Sequence, residues 1–107
     1  MTDGESRVWL EIVERLLADE PDVMVKHAFG SPGLRYGEKI FALHVRDELV
    51  VKLPPGRCEE LREDGGARPF RSGGRELREW VVIGAEREFE WDALADEALA
   101  YARAIAA

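Results

Sequence analysis

Ile40-Phe41-Ala42-Leu43-His44-Val45-Arg46-Asp47-Glu48-Leu49-Val50-Val51-Lys52-Leu53 is the stretch that decides the fold. Residues 40–45 and 49–53 are apolar and rich in β-branched side chains, which reads as two strands. The Arg46-Asp47-Glu48 link between them is short enough for a tight hairpin, so the strands run antiparallel. Phe41, Leu43 and Val45 share one face of the first strand, and Ile40, Ala42 and His44 share the other. Leu49, Val51 and Leu53 alternate with Val50 and Lys52 on the second. One sheet face is therefore solidly apolar and the other mixed, and the apolar face needs a layer of helices over it.

Residues upstream supply more of the sheet. The run at 23–29 reads as a first strand, and residues 33–36, crowded by Gly30, Pro32, Gly33 and Gly37, read as a short second one. Before them, Val8, Trp9, Ile12, Val13, Leu16 and Leu17 recur at three- and four-residue steps, which predicts an amphipathic helix over 6–18. Ser6 is placed to cap it, and Pro21 forbids its continuation. Downstream, Pro54-Pro55 ends the hairpin and opens a short helix over 55–63, with Cys58 and Leu61 facing inward. Gly65-Gly66 stops that helix, and a loop anchored by Phe70 runs to residue 75. Residues 80–83 read as the last strand. Trp91, Leu94, Ala95, Ala98, Leu99, Ala102 and Ile105 make the apolar stripe of a final helix. The expected architecture is α+β, an antiparallel sheet of about five strands with flanking helices in the order α-β-β-β-β-α-β-α.

The chain of 107 residues is expected to form a single domain over 1–107. Its mass of 12.1 kDa implies roughly 6,000 Å² of folded surface and burial of about 65% of the unfolded chain's surface. One cysteine excludes an internal disulfide and a Cys-rich zinc site. No apolar run has the length of a membrane span, and the N-terminus lacks a leader pattern, so the expected compartment is the cytosol.

Net charge is −7, which disfavours binding to a DNA duplex through phosphate neutralisation. The acid is concentrated at the ends. Residues 1–22 carry −5 and residues 84–107 carry −4, whereas 23–53 carry +2 and 54–83 are neutral. Within the middle, Arg68, Arg71, Arg75 and Arg78 stand against Glu76 alone across 68–78, the only basic cluster. Mixed surfaces are the rule, so these arginines are expected to pair with Glu59, Glu60, Glu63, Asp64 and Glu79 nearby in sequence. The functional alternative is that Lys39, Lys52, Arg57 and the arginine cluster converge on one rim of the sheet and bind an anion.

Nothing in the sequence assembles a reaction centre. Cys58 near a helix start, after Arg57, has some features of an activated thiol, yet its position is also one for a small buried hydrophobe. His27 and His44 lie on strands. Ser6, Ser31 and Ser72 have cap or turn contexts. Neither Gly30-Ser31-Pro32-Gly33 nor Gly73-Gly74 has the ending of a phosphate loop. Glu59-Glu60 and Asp92, Asp96 and Glu97 read as solvated helix faces. No catalytic residue, metal or cofactor is assigned.

Phe29-Gly30 with Gly33-Leu34, Gly37-x-Lys39-Ile40-Phe41-Ala42, Val51-Lys52-Leu53-Pro54, Pro69-Phe70, Gly74-Arg75 and Arg78-Glu79-Trp80-Val81 follow one another at characteristic spacings. In order and spacing, the stretch from about 27 to 83 resembles the N-terminal domain of TfoX/Sxy-type proteins, within the wider MmcQ/YjbR-like group. The resemblance implies an α+β fold whose motif residues are largely structural, Gly30 and Gly33 in a tight turn and Phe41, Phe70 and Trp80 in the core. Some relatives regulate natural competence, and the larger group is described as DNA-binding. Those regulators carry a second, helical domain, and this chain stops after its last helix. By resemblance it is a stand-alone TfoX N-terminal-like domain with a non-enzymatic regulatory or interaction role. A protein partner with an acidic patch, a nucleic acid and a second copy of the chain, pairing through sheet faces that carry Val50 and Val82, are the partners considered; a membrane is not. The alternative function is a small anionic-ligand-binding protein or enzyme with a pocket near Lys52, Arg57 and His44.

Overall fold

A computed structural model describes residues 6–106; residues 1–5, read above as lacking a leader pattern, and residue 107 lie outside the described residues. The order is α1 (Arg7–Asp19), β1 (Val23–Ala28), β2 (Ser31–Tyr36), β3 (Lys39–Val45), β4 (Glu48–Lys52), α2 (Pro55–Glu63), β5 (Arg68–Ser72), β6 (Arg75–Ile83), a short 3-10 stretch (Ala85–Glu90) and α3 (Trp91–Ala106). The strands form one antiparallel sheet in the order β1-β2-β3-β4-β6-β5. The α+β class and the helix positions are as expected, with six strands in place of about five. The surface is 6176 Å², close to the scaling value. Among the described residues no helix is long and apolar enough to cross a membrane.

The extra strand is β5, expected to be loop, and β6 starts at Arg75 and not at Trp80. Gly73 and Gly74 sit at φ 62° and 81°, so the two form a two-residue hairpin turn that requires left-handed backbone at both positions. β5 is the outermost strand and bonds on one side only, which accommodates Pro69 and its polar residues.

Sheet faces depart from simple alternation at one place. Leu34 pairs with Ala42 but Arg35 pairs with Ile40, leaving Phe41 as a bulge residue. Phe41 and Ala42 therefore both turn to the helix side, and Ile40 joins Leu43 and Val45 on the other face. The alternation predicted for 40–45 is corrected accordingly. Gly33 also differs from expectation: it lies inside β2, pressed against Leu43, Ala42 and Lys26, while Gly30 occupies the β1–β2 turn.

On the helix side, Trp9, Ile12 and Leu16 of α1, Cys58 and Leu61 of α2, and the Trp91–Ala102 stripe of α3 pack on Leu34, Phe41, Leu49, Val51, Leu53, Val81 and Ile83. Leu17 and Ile105, expected in the stripes, are exposed. Ser6 Oγ accepts from Trp9 N–H at 2.9 Å, capping α1 as predicted. The acidic ends of the chain are held together by arginines: Arg15 reaches Asp92 and Asp96 at 2.8 and 2.9 Å, and Arg103 pairs with Glu20.

The other face holds a second, small core. Leu43, Val50 and Val82 are buried under Phe70, Trp80, Ile40 and Val45. Phe29, in the β1–β2 turn, meets Phe70 edge-on with ring centroids 6.0 Å apart. The two rings belong to opposite ends of the strand order, so the twist of the sheet brings the β1–β2 turn to β5 over this face. Val50 and Val82 are thus unavailable to the sheet-to-sheet dimer considered from the sequence.

Candidate functional site

The residues expected to form one basic rim separate into three groups. Arg57, Arg68 and Arg71 are neutralised. Arg57 on α2 makes a two-point contact with Glu97 of α3 at 2.8 and 3.1 Å and a third bond to Glu60, and these carboxylates, Glu97 foremost, raise its pKa. Arg68 reaches Glu48 at 2.5 Å, and Arg71 reaches Glu76 at 2.8 Å. The partners of the arginine cluster are therefore Glu48 on β4 and Glu76 at the cross-strand position, not the acids of α2. Lys39 opens β3, is exposed and does not line the cleft of the remaining three.

Lys52, Arg75 and Arg78 do meet. With Pro55, Glu76, Leu77, Glu79 and Trp80 they line an open cleft of about 410 Å³. The strand geometry explains its position. β4 ends at Lys52, directly opposite Trp80, so the first half of β6 has no β4 partner. On the β5 side the register passes from Pro69–Val81 to Phe70–Leu77, which leaves Arg78, Glu79 and Trp80 as a bulge. Bulged segments bend and re-aim their side chains. Lys52 Nζ lies 5.6 Å from the Trp80 ring centroid and 3.3 Å from Glu79 Oε1. Burial, then the neighbouring Glu79 carboxylate, push the Tyr101 phenol's pKa up. Both acids of the cleft are thus engaged, Glu76 by Arg71 and Glu79 by Lys52. Arg75 and Arg78 are exposed and form no ion pair among the described residues. What the cleft offers chemically is two guanidinium forks and an ammonium beside an indole face, a surface for carboxylates or phosphates.

Trp80 is the residue that sequence reasoning did not place here. It was assigned to the core, and it does pack on Phe70, yet its partial exposure makes it a cleft wall. The signal was its alternation with Val81, which puts Trp80 on the face that helices do not cover.

His44 and Cys58 are interior residues. The His44 ring stacks on Trp9 at 5.4 Å and an 11° interplanar angle, and meets Trp91 edge-on at 5.9 Å. Cys58 is fully buried, its thiol donates to Leu53 O at 3.5 Å, and burial raises its pKa. Neither His44 nor Arg57 lines the Lys52 cleft, so the pocket sketched from Lys52, Arg57 and His44 is not formed. Among the described residues no group of three or more His, Cys, Asp or Glu is placed to hold a metal ion.

Comparison with curated proteins returns no significant match. A family profile for the TfoX N-terminal domain matches residues 15–104, from the middle of α1 through most of α3. The chain belongs to the TfoX N-terminal domain family.

Proposed function

We propose that this chain is a cytosolic, non-enzymatic regulatory domain that binds an acidic segment of a protein partner in the cleft of Lys52, Arg75, Arg78 and Trp80. Family membership supports a regulatory or interaction domain at the coarsest level. The observation that carries the finer reading is the pair of arginines without ion partners among the described residues, set beside Lys52 and an indole face on a chain that is otherwise acidic. A duplex is the weaker partner. Its phosphates extend well past the cleft and meet the −7 field of the whole molecule, whereas a short acidic segment stays beside Lys52, Arg75 and Arg78, with Glu76 and Glu79 of the cleft already in ion pairs. The interior positions of His44 and Cys58 favour a structural role for both.

Titration of the protein against a fluorescent Glu-rich peptide, its Gln counterpart and a labelled duplex tests the proposal. Binding is expected for the Glu-rich peptide alone, weakening with salt and lost in Arg75→Glu/Arg78→Glu. Tighter binding of the duplex at low salt, where electrostatics are strongest, would overturn it. Displacement of the peptide by inorganic phosphate at comparable affinity would favour the small-anion reading of the same cleft.

A further inference from the structure

We infer that the chain self-associates through β1, two copies pairing antiparallel about a two-fold axis with Met24 opposite Met24. Among the described residues the sheet has two free edges, β1 and β5. β5 is guarded by Pro69 and by Arg68 and Arg71, the devices that keep an edge from pairing. β1, reading Val-Met-Val-Lys-His-Ala, has no proline and a single charge.

The backbone of β1 is set to receive a strand. Gly37 N–H donates to Asp22 O, so the groups of residues 22, 24, 26 and 28 face β2 by the alternation of an antiparallel ladder. Those of Val25 and His27 therefore point outward. Val23 N–H is taken by Glu20 O, which leaves its carbonyl as an outward acceptor.

The flank of this edge is apolar. Val25 is 49% exposed and Leu10 of α1 is 45% exposed. Leu10 and Val13 line a groove of about 170 Å³ with Val25 and His27, and Leu17, also exposed, extends the same helix stripe. A two-fold through β1 covers this strip with its own copy.

Charge selects the register. Outward backbone groups must meet outward groups, so symmetric pairing centres on Met24, Val25 or Lys26. Centring on Lys26 opposes two lysines, and centring on Val25 sets Lys26 against Met24. Centring on Met24 places Asp22 opposite Lys26 twice, once at each end, with Val25 beside Val23 of the second copy. Opposite charges at directly paired positions stabilise a ladder and like charges destabilise it. In that register Val25 N–H donates to the carbonyl of Val23 in the second copy.

The test is molar mass by light scattering at high micromolar protein and near-physiological salt, with circular dichroism to confirm folding. Wild type is expected to be a dimer. Val25→Pro removes an outward N–H and leaves the β2 ladder intact, and the expected product is a folded monomer. Asp22→Lys or Lys26→Asp alone is expected to weaken dimerisation by about tenfold, and the double swap to restore it. A monomeric wild type, or a dimer that Val25→Pro does not dissociate, overturns the inference. A dimer that tolerates either single swap unchanged overturns its register.

Discussion

Replacing Gly33 with alanine puts one methyl group where three strands meet. Gly33 of β2 sits between Lys26 of β1 and Leu43 of β3. A Cβ there would lie 2.6 Å from Leu43 Cδ2, 2.7 Å from Ala42 O and 3.0 Å from Lys26 O. Leu43 is fully buried against Val50 and Val82 and has nowhere to swing. The two oxygens belong to the flanking backbones, so β2 must draw away from both neighbours. Overpacking of this kind costs about 1–3 kcal/mol, against which a Gly→Ala change recovers about 0.4–1 kcal/mol through the unfolded chain. The net loss is about 2 kcal/mol with steric terms near the upper end, which for a domain of this size lowers Tm by about 8–16 °C. Gly56, in α2, is the internal control: a Cβ there meets nothing within 4 Å, so Gly56→Ala is expected to leave Tm unchanged or raise it. Thermal melts followed by circular dichroism measure both. A Gly33→Ala protein as stable as wild type would refute the packing account of β2 and the register that produces it.

Three further outcomes follow from the same geometry. Native Cys58 is expected to resist thiol reagents until the chain unfolds, and modification at the rate of a free thiol would contradict its burial. Because burial raises that thiol's pKa from 9.0, the folded chain keeps a proton that the unfolded chain loses, so stability falls as pH climbs past 9.0. Cys58→Ala is expected to flatten this alkaline decline in urea titrations, and an unchanged pH slope would contradict it. Gly74→Val, at φ 81°, is expected to cost about 1–2 kcal/mol and to loosen β5, read as faster amide exchange in residues 68–72 and unaltered exchange in β3; uniform change across the sheet would contradict a hairpin local to Gly73-Gly74.

How far the fold was legible depended on whether an element's neighbours are apolar. The 40–53 hairpin, the α1 stripe with its Ser6 cap and the α3 stripe bury one continuous face, and periodicity registers that directly. β5 and the first half of β6 bury almost nothing but Phe70 and Leu77, so hydrophobic pattern passes over them; the Gly73-Gly74 pair was the available clue. The bulge at Phe41 was invisible because both alternations of 40–45 are apolar but for His44, and only pairing with β2 decides between them. Leu17 shows the same limit on a helix: the spacing places it near the stripe, but the width of the stripe is set by what packs against it.

The candidate site was legible by residue type and not by geometry. Lys52, Arg75 and Arg78 were named with four other cations, and what sets Arg57, Arg68 and Arg71 apart is where acids fall in the fold. Glu48, Glu97 and Glu76 take Arg68, Arg57 and Arg71, and the first two pairings join residues 20 and 40 positions apart. Trp80 was hidden by its own double role, packed on Phe70 along one edge and open to the cleft along another.

The central claim is that recognition takes place at the β6 bulge beside Lys52. Amide and indole NMR signals recorded during titration with a Glu-rich peptide test it most directly. The account predicts shifts concentrated at Arg75, Arg78 and the Trp80 indole, with the Trp9 and Trp91 signals unmoved; shifts centred on any other surface, or none at saturating peptide, would contradict it.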